Sequence, residues 1–300
     1  MRFFILIALA VGLMYYVSFN SSSKRTDSLY EQAETGDVVA QRNLGAHLMN
    51  DSNADYNYSE ASKWLHKAAE QGDAEAQGLL GVMYQKGLGT PVNDNESFKY
   101  FKLSAEQGIP EAQNFLASMY EEGKGTTINY EEAAKWYSRG VERENPIAQN
   151  GLGMLYINGH GVPQDYAKGR ELVRSAAARG YPRALYNLGQ IEEKGIGGPI
   201  NLQQAVKWYN NAATSGFPEA QYRLATLYLE GHGVKQNDAA AFEFFSMAAD
   251  QNHAVAAYEV GQMYLQGIGT KADSDKATSY FQKSCDLGEQ QACNYLNKTH

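Results

Sequence analysis

The sequence has no basic run. Its longest cluster of Lys and Arg is Lys24-Arg25, and 34 acidic residues outnumber 26 basic ones, for a net charge of −8. A nucleic-acid surface needs a basic patch to neutralise phosphates, so the composition argues against that class of partner. Proline is scarce at 7 residues, and cysteine is limited to Cys285 and Cys293. In one continuous helix that spacing of eight rises about 12 Å, too far for a disulfide. A bond between them would require the chain to reverse. The six histidines are scattered, and His160 and His232 have no Cys or His nearby at ligand spacing. No metal site and no cofactor is expected from them.

Charge is also missing near the start. Arg2 is followed by FFILIALAVGLMYYVSF, residues 3–19. This length is the short limit for crossing a bilayer and slightly long for a signal-peptide core. Tyr15 and Tyr16 suit a membrane interface. No small-x-small cleavage site follows the apolar run, and no cysteine is present there to carry a lipid. Residues 1–20 are therefore expected to be an uncleaved anchor, with a cleaved signal peptide as the alternative. Either reading implies export; a buried core helix is the remaining alternative. Residues 21–26 read as a polar linker. The remainder, with 43% apolar and 20% charged residues over the whole chain, fits a soluble folded body.

That body is periodic. From Ala40, steps of 36 residues land on Ala76, Ala112, Ala148, Ala184, Ala220, Ala256 and Ala292. Around each alanine, apolar or small residues fall at offsets 0, 4, 5 and 8, as in Ala112, Leu116, Ala117 and Tyr120. This is one face of an α-helix. A Gly-x-Gly follows in six copies, beginning with Gly87 and Gly89, and its first glycine fits a helix stop. At offset 17, Asn57, Asn93, Asn129, Asp165, Asn201, Asn237 and Asp273 are predicted N-caps of a second helix. Glu60, Glu96, Glu132 and Gln204, three residues further on, are expected to complete capping boxes. The second helix ends near Gly36, Gly72, Gly108, Gly180, Gly216 and Gly288, with Glu144 and Asn252 replacing the glycine in two copies. Pro110, Pro146, Pro182 and Pro218 then open the next first helix, a position that tolerates proline.

The A-x-x-x-L-G-x-x-Y…G-x-G…A-x-x-W-Y pattern resembles the Sel-one-like repeat family, relatives of the tetratricopeptide repeat. The resemblance covers residues 29–297. It implies an all-α fold: a right-handed αα-hairpin solenoid of seven 36-residue repeats plus terminal capping helices, within residues 27–300. The departures lie in single units. Asp51 and Asn53 stand where the first loop should have glycines, and Glu192 replaces the tyrosine of the fifth unit. The hairpin places Gly288 between Cys285 and Cys293 as the reversal, so a bond is permitted; two free buried thiols are the alternative. The cysteine-bearing exported branch of the family has similar spacing, which implies a bridge between adjacent helices and an oxidising compartment. The expected location is the periplasmic side of a bacterial envelope, anchored to the inner membrane, with the ER lumen as the other candidate.

Catalytic constellations are weak. The Gly-x-Gly loops never extend to a nucleotide-binding motif, and GKG at 123–125 lacks the Ser or Thr of a P-loop. Some cysteine-bearing relatives are linked to β-lactam binding or hydrolysis. The one S-x-x-K of such serine enzymes, Ser21-Ser22-Ser23-Lys24, lies in the polar linker, where nothing would hold an oxyanion. Glu121-Glu122 and Glu131-Glu132 read as solvated helix faces. The expectation is a non-catalytic scaffold, with a β-lactam-directed enzyme or an architectural spacer as alternatives. Offsets 2, 6 and 9 flank the packed stripe and, by analogy with the tetratricopeptide groove, line a concave wall. There Asn114, Asn150, Tyr186, Tyr222 and Tyr258 at offset 2, with Gln190, Thr226 and Gln262 at offset 6, are the candidate contacts for a protein or extended peptide. Tight packing of the tyrosines between helices is the competing explanation. The strip reads as largely uncharged.

Overall fold

The computed structural model describes residues 22–299 apart from 51, 54 and 55. The anchor or signal expected at residues 1–20, with its apolar stretch 3–19, lies outside the described residues. Among those residues no helix is long and apolar enough to cross a membrane. Sixteen helices and no strands are present among them. Helix α1 (Ser22–Glu34) precedes the first repeat. The segment 21–26, read above as a linker, is thus helical from Ser22 onward.

Seven hairpins follow. In the first four, α2 (Val38–Leu48) pairs with α3 (Tyr58–Glu70), α4 (Ala74–Lys86) with α5 (Asp94–Glu106), α6 (Pro110–Glu122) with α7 (Tyr130–Glu142), and α8 (Pro146–Asn158) precedes α9 (Tyr166–Ala178). Then come α10 (Pro182–Lys194) with α11 (Leu202–Thr214), α12 (Pro218–Glu230) with α13 (Asp238–Asp250), and α14 (Ala254–Gln266) with α15 (Ser274–Asp286). Helix α16 (Gln290–Thr299) closes the array. The chain divides into two compact units. One runs to Leu155 and includes residues 159–163; the other holds residues 156–158 and everything from Gln164 onward.

Each hairpin is closed by a bond that replaces the expected capping box. The Asn57 side chain accepts from the Glu60 N–H at 3.1 Å, as a cap should. Its own N–H, however, donates to the carbonyl of Leu48, at offset 8 of the same repeat, at 2.9 Å. The same link joins Asn93 to Tyr84, Asn129 to Tyr120, Asp165 to Tyr156, Asn201 to Glu192, Asn237 to Tyr228 and Asp273 to Tyr264. The N-cap donor is already taken by the first helix, so the glutamate three residues on has no reciprocal role there. Glu96 and Glu132 instead pair with Lys99 and Lys135 along their own helices.

The eight alanines of the 36-residue ruler are all buried, none more than 3% exposed. At offset 5 a glycine or alanine admits the large residue of the second helix: a Cβ on Gly189 would lie 2.4 Å from the ring of Tyr209, which is fully buried. A glutamine at offset 1 ties neighbouring repeats. Buried Gln77 donates to the Ala69 carbonyl at 3.3 Å and accepts from Gln107 at 2.8 Å. Gln41, Gln113 and Gln221 repeat this clamp, with Gln71, Arg143 and Gln251 as donors.

The first glycine of each loop pair takes a left-handed conformation, as expected; Gly123 has φ 71°. The second glycine is needed for proximity as well. A Cβ on Gly125 would fall 2.0 Å from the Asp94 carbonyl oxygen, at the start of the preceding repeat's second helix. The first repeat lacks this loop. Its helix ends at Met49 with right-handed geometry, and the Asn53 side chain caps the His47 carbonyl at 2.8 Å. Glu192, the other departure, is 8% exposed and forms an ion pair with Arg170 at 2.7 Å. That pair occupies the place held by Phe98–Tyr120 and Phe242–Tyr264 edge contacts elsewhere. Cys285 and Cys293 are joined in a disulfide with Cα atoms 4.8 Å apart, linking α15 to α16.

Two stability predictions follow from the helix ends. Glu144 and Asn252 keep the left-handed conformation of the glycines they replace, at φ 54° and 64°. Glu144→Gly should therefore stabilise the protein by about 1 kcal/mol, and Asn252→Gly by less, since asparagine tolerates this region. Urea midpoints would measure both. His253 caps α14 through Nδ1, which accepts the Ala256 N–H at 3.1 Å. Burial pushes its imidazole below the ordinary range, against an opposing pull from Glu219. The folded state thus binds this proton less readily than the unfolded chain does. Stability should fall as pH drops below the ordinary imidazole value of about 6.5. His253→Asn would cap without titrating, as Asn145 does. It should remove up to about 1 kcal/mol of that loss, read from urea midpoints on either side of that pH.

Candidate functional site

The candidate residues fall in both units. Asn114 on α6 and Asn150 on α8 belong to the first. Each is only 6% exposed. Asparagine is short, so it ends inside the helix packing: Asn114 Oδ1 lies 3.1 Å from where a Cβ on Gly140 would be, in the second helix of its own repeat. These two amides do not form the open rungs that the sequence suggested.

In the second unit the arrangement differs. Tyr186, Tyr222 and Tyr258 are half-buried on α10, α12 and α14. Each ring leans on the large residue of its own second helix, with centroids 5.5 Å from Tyr209, Phe245 and Phe281 respectively. Tyr186 also meets Phe217 at 5.4 Å, and Tyr222 stacks on His253 at 4.9 Å, with 15° between the planes. The tyrosines therefore pack between helices and also keep an accessible part. Residues at offset 6 orient them. Gln190 and Gln262 donate to the hydroxyls of Tyr186 and Tyr258 at 3.1 and 2.8 Å. Thr226 instead donates to the Tyr222 backbone carbonyl at 3.0 Å. The three rungs share one build because a 36-residue step returns the same helix face each time.

The strip is not uncharged. Arg223 on α12 donates to Glu193 on α10 through Nε at 3.1 Å and also through Nη2, and Tyr209 donates its hydroxyl to the same carboxylate at 2.6 Å. Burial raises the Tyr186 hydroxyl above the ordinary tyrosine value; Glu219 adds to this and Arg223 opposes it. Burial raises Tyr222 too, with Glu259 as the next cause. Burial alone pushes the half-buried Glu259 carboxyl upward. Sequence reasoning missed Arg223, His253 and Glu259 because they sit at offsets 3 and −3, outside the offsets assigned to the wall; Glu193, at offset 9, lay among those offsets without being singled out. Arg223 and Glu259 meet the strip tyrosines only across a repeat boundary, whereas Glu193 accepts from Tyr209 within its own repeat and His253 ends the repeat that holds Tyr222. The signal was present in the spacing: 223 − 193 is 30, the same interval that separates donor and acceptor in each clamp.

Chemically, the strip offers flat rings, hydroxyls and carboxylates. Among the described residues, no three or more His, Cys, Asp or Glu side chains are grouped to hold a metal ion. Ser21 lies outside the described residues, and the side chains of Ser22 to Lys24 are likewise not described.

The repeats can now be compared with known proteins. The Sel1 repeat profile matches seven consecutive stretches: residues 38–73, 74–109, 110–145, 146–181, 182–217, 218–253 and 254–289. Among solved structures, the chain is similar to c5321, a protective antigen present in uropathogenic Escherichia coli strains and displaying an SLR fold. The identity is 31% and the TM-score 0.68, over 93% of this chain and 59% of that one, so the chain spans less than two thirds of that protein. It is also similar to a Sel1 repeat protein from Oxalobacter formigenes, at 27% identity and TM-score 0.64, covering 84% of this chain and 96% of the other. Yeast Tom70, at 17% identity and TM-score 0.59 over 94% of this chain and 60% of its own, shares the fold alone. No curated protein matches. With seven matched repeats tiling residues 38–289 without a gap, the chain belongs to the Sel1 repeat family.

Proposed function

We propose that the protein is a non-catalytic scaffold that binds an extended segment of another protein along the first-helix strip of its second unit. The observation that carries this reading is the ladder of Tyr186, Tyr222 and Tyr258. Three half-buried rings recur at one repeat position, two with the hydroxyl held by a glutamine four residues on. Rings fixed in this way lose little freedom on binding, which favours affinity. Tyrosine supplies both apolar area and a polar tip. Offset 6 adds Gln190, Thr226 and Gln262 beside them, within reach of a peptide backbone. The repeat family and its solenoid neighbours support an interaction scaffold in general. The strip supplies the particular face, the one expected to be concave.

The reading extends to the compartment. A disulfide between α15 and α16 and the uncharged apolar stretch at residues 3–19 favour export to an oxidising space. Bacterial relatives favour the periplasmic side of a cell envelope. If so, both cysteines in intact cells should resist alkylation until a reductant is added. Labelling without reductant would count against export.

The binding face can be tested without disturbing the packing. A photoreactive residue at Thr226, on the strip, should crosslink to a defined segment of one partner in envelope extracts. The same residue at exposed Glu243, on α13, should not. Tyr258→Ala should lower the yield from Thr226 by at least about tenfold, the loss expected from one well-packed aromatic contact. Equal crosslinking from both positions would sink the proposal and favour an architectural spacer.

A further inference from the structure

The second unit contains one rung that is complete and one that is not. At the first rung, Arg223 of the sixth repeat reaches back to Glu193 of the fifth, next to Tyr186. Arginine stands at offset 3, and its carboxylate partner stands at offset 9 of the repeat before. One rung later the offset-3 residue is Glu259, and the offset-9 residue of the repeat before is Leu229. Residues 223 and 259 are 36 apart, at the same offset on the first helices of adjacent repeats, so the two positions are spatially equivalent. The second rung thus has a carboxylate where the first has a guanidinium, and no base faces it. Among the described residues no hydrogen bond or ion pair to the Glu259 carboxylate is found.

A half-buried carboxylate without a cation is costly, and natural folds normally pair it. The surroundings add charge of the same sign. Glu219 faces Tyr186 and His253, and Glu230 and Glu289 act on Tyr222 together with Glu259. Glu230 has His232 at 3.0 Å, and Glu289 accepts the Gln291 N–H at 3.2 Å. Glu219 and Glu259 have no cationic partner among the described residues. This local field is complementary to a positive group arriving from outside. The partly exposed ring of Tyr222 is the one this carboxylate acts on, and a planar guanidinium can stack on a ring while it forks onto a carboxylate.

We propose that the second rung is completed by the partner: an arginine of the bound segment seats on Glu259 beside Tyr222, as Arg223 seats on Glu193 beside Tyr186. This deepens the proposed function and rests on it, because it names the chemistry of the segment that the strip receives. The occupant is an extended peptide carrying arginine at the centre of its contact. A neutral or acidic segment would leave Glu259 unpaired.

The test uses the full chain and three nonapeptide pools. The central residue is Arg, Gln or Glu, and the flanks are randomised over Ala, Ser, Asn, Leu and Tyr. The parent protein should retain the Arg pool about tenfold better than the Gln pool, in line with a partly desolvated charge pair. It should retain the Glu pool least. Glu259→Gln should reduce the Arg preference to about twofold or less, and Glu219→Gln should weaken it in part. Tyr258→Ala should weaken all pools alike. Glu259→Gln removes an unpaired half-buried charge, so its melting temperature should not fall below that of the parent. Tyrosine-dependent retention without an Arg preference, or a preference that survives Glu259→Gln, would overturn this inference and leave the binding strip standing. Retention of no pool above the level of the Tyr186→Ala, Tyr222→Ala, Tyr258→Ala triple variant would overturn both.

Discussion

The close approach of helices at the ruler alanines is the constraint on which the other features depend. Seven of the eight have no exposed surface and the eighth has 3%. A larger side chain at any of them would push the preceding second helix away, and the glutamine clamp would lose its reach. Gly140 shows how little room is left: a Cβ there would lie 2.4 Å from the Cβ of Ala148. The clamp in turn connects backbone to backbone. Gln113 takes the Ala105 carbonyl of the repeat before and accepts from Arg143 thirty residues on. Buried amides of this kind must be satisfied or they destabilise the fold. The spacing is therefore enforced twice, by volume and by hydrogen-bond geometry. This is why an array of 36-residue units carries no insertion.

Helix ends were legible in the sequence because a single residue type decides each. Asparagine or aspartate at offset 17 caps every second helix, and glycine at the turn stops most of the first ones. Glu144 and Asn252 stand where the pattern has glycine, and their backbones follow the glycine path. The neighbouring packing holds the turn regardless of the residue. Features shared between repeats were not legible. The role of the second loop glycine depends on a carbonyl 31 residues earlier, as for Gly125 and Asp94. The replacement of tyrosine by Glu192 looked like a defect until Arg170 appeared beside it, 22 residues earlier. The capping boxes failed for the same reason: the donor they needed had a partner in another helix. In a repeat array the local signal is strong, and the partner sits a fixed distance away. Reading one copy at a time finds the first and overlooks the second.

The candidate strip shows the same division. Its tyrosines were found from their 36-residue recurrence, which is a within-position signal. Its charges were not, because Arg223 and Glu259 reach the tyrosines across a repeat boundary and His253 reaches Tyr222 from the far end of its repeat. The two asparagines at the same offset proved to be covered. Position alone thus does not make a contact residue; the side chain must also be long enough to pass the neighbouring helix. In the first unit, offset 2 of the first repeat is Arg42, and its guanidinium is held by Asp73 at 3.2 Å. Its charge is consumed inside the fold.

This contrast suggests how one scaffold position can serve structure in one repeat and recognition in another. Where the residue at offset 2 or 3 finds its partner in an adjacent repeat, as Arg42 does with Glu75 and Arg223 with Glu193, the interaction adds to the interface between hairpins. Where that partner is absent, as at Glu259, the same offset carries a half-buried charge close enough to act on the ring of Tyr222. The energetic cost of that vacancy falls on the free protein and is recovered only by something outside it. Stacking does not require every rung to be filled, since the alanine and glutamine contacts already fix the spacing. The array can therefore tolerate an unfilled rung without losing its register, and such a rung is where a repeat protein can acquire a preference for one ligand over another.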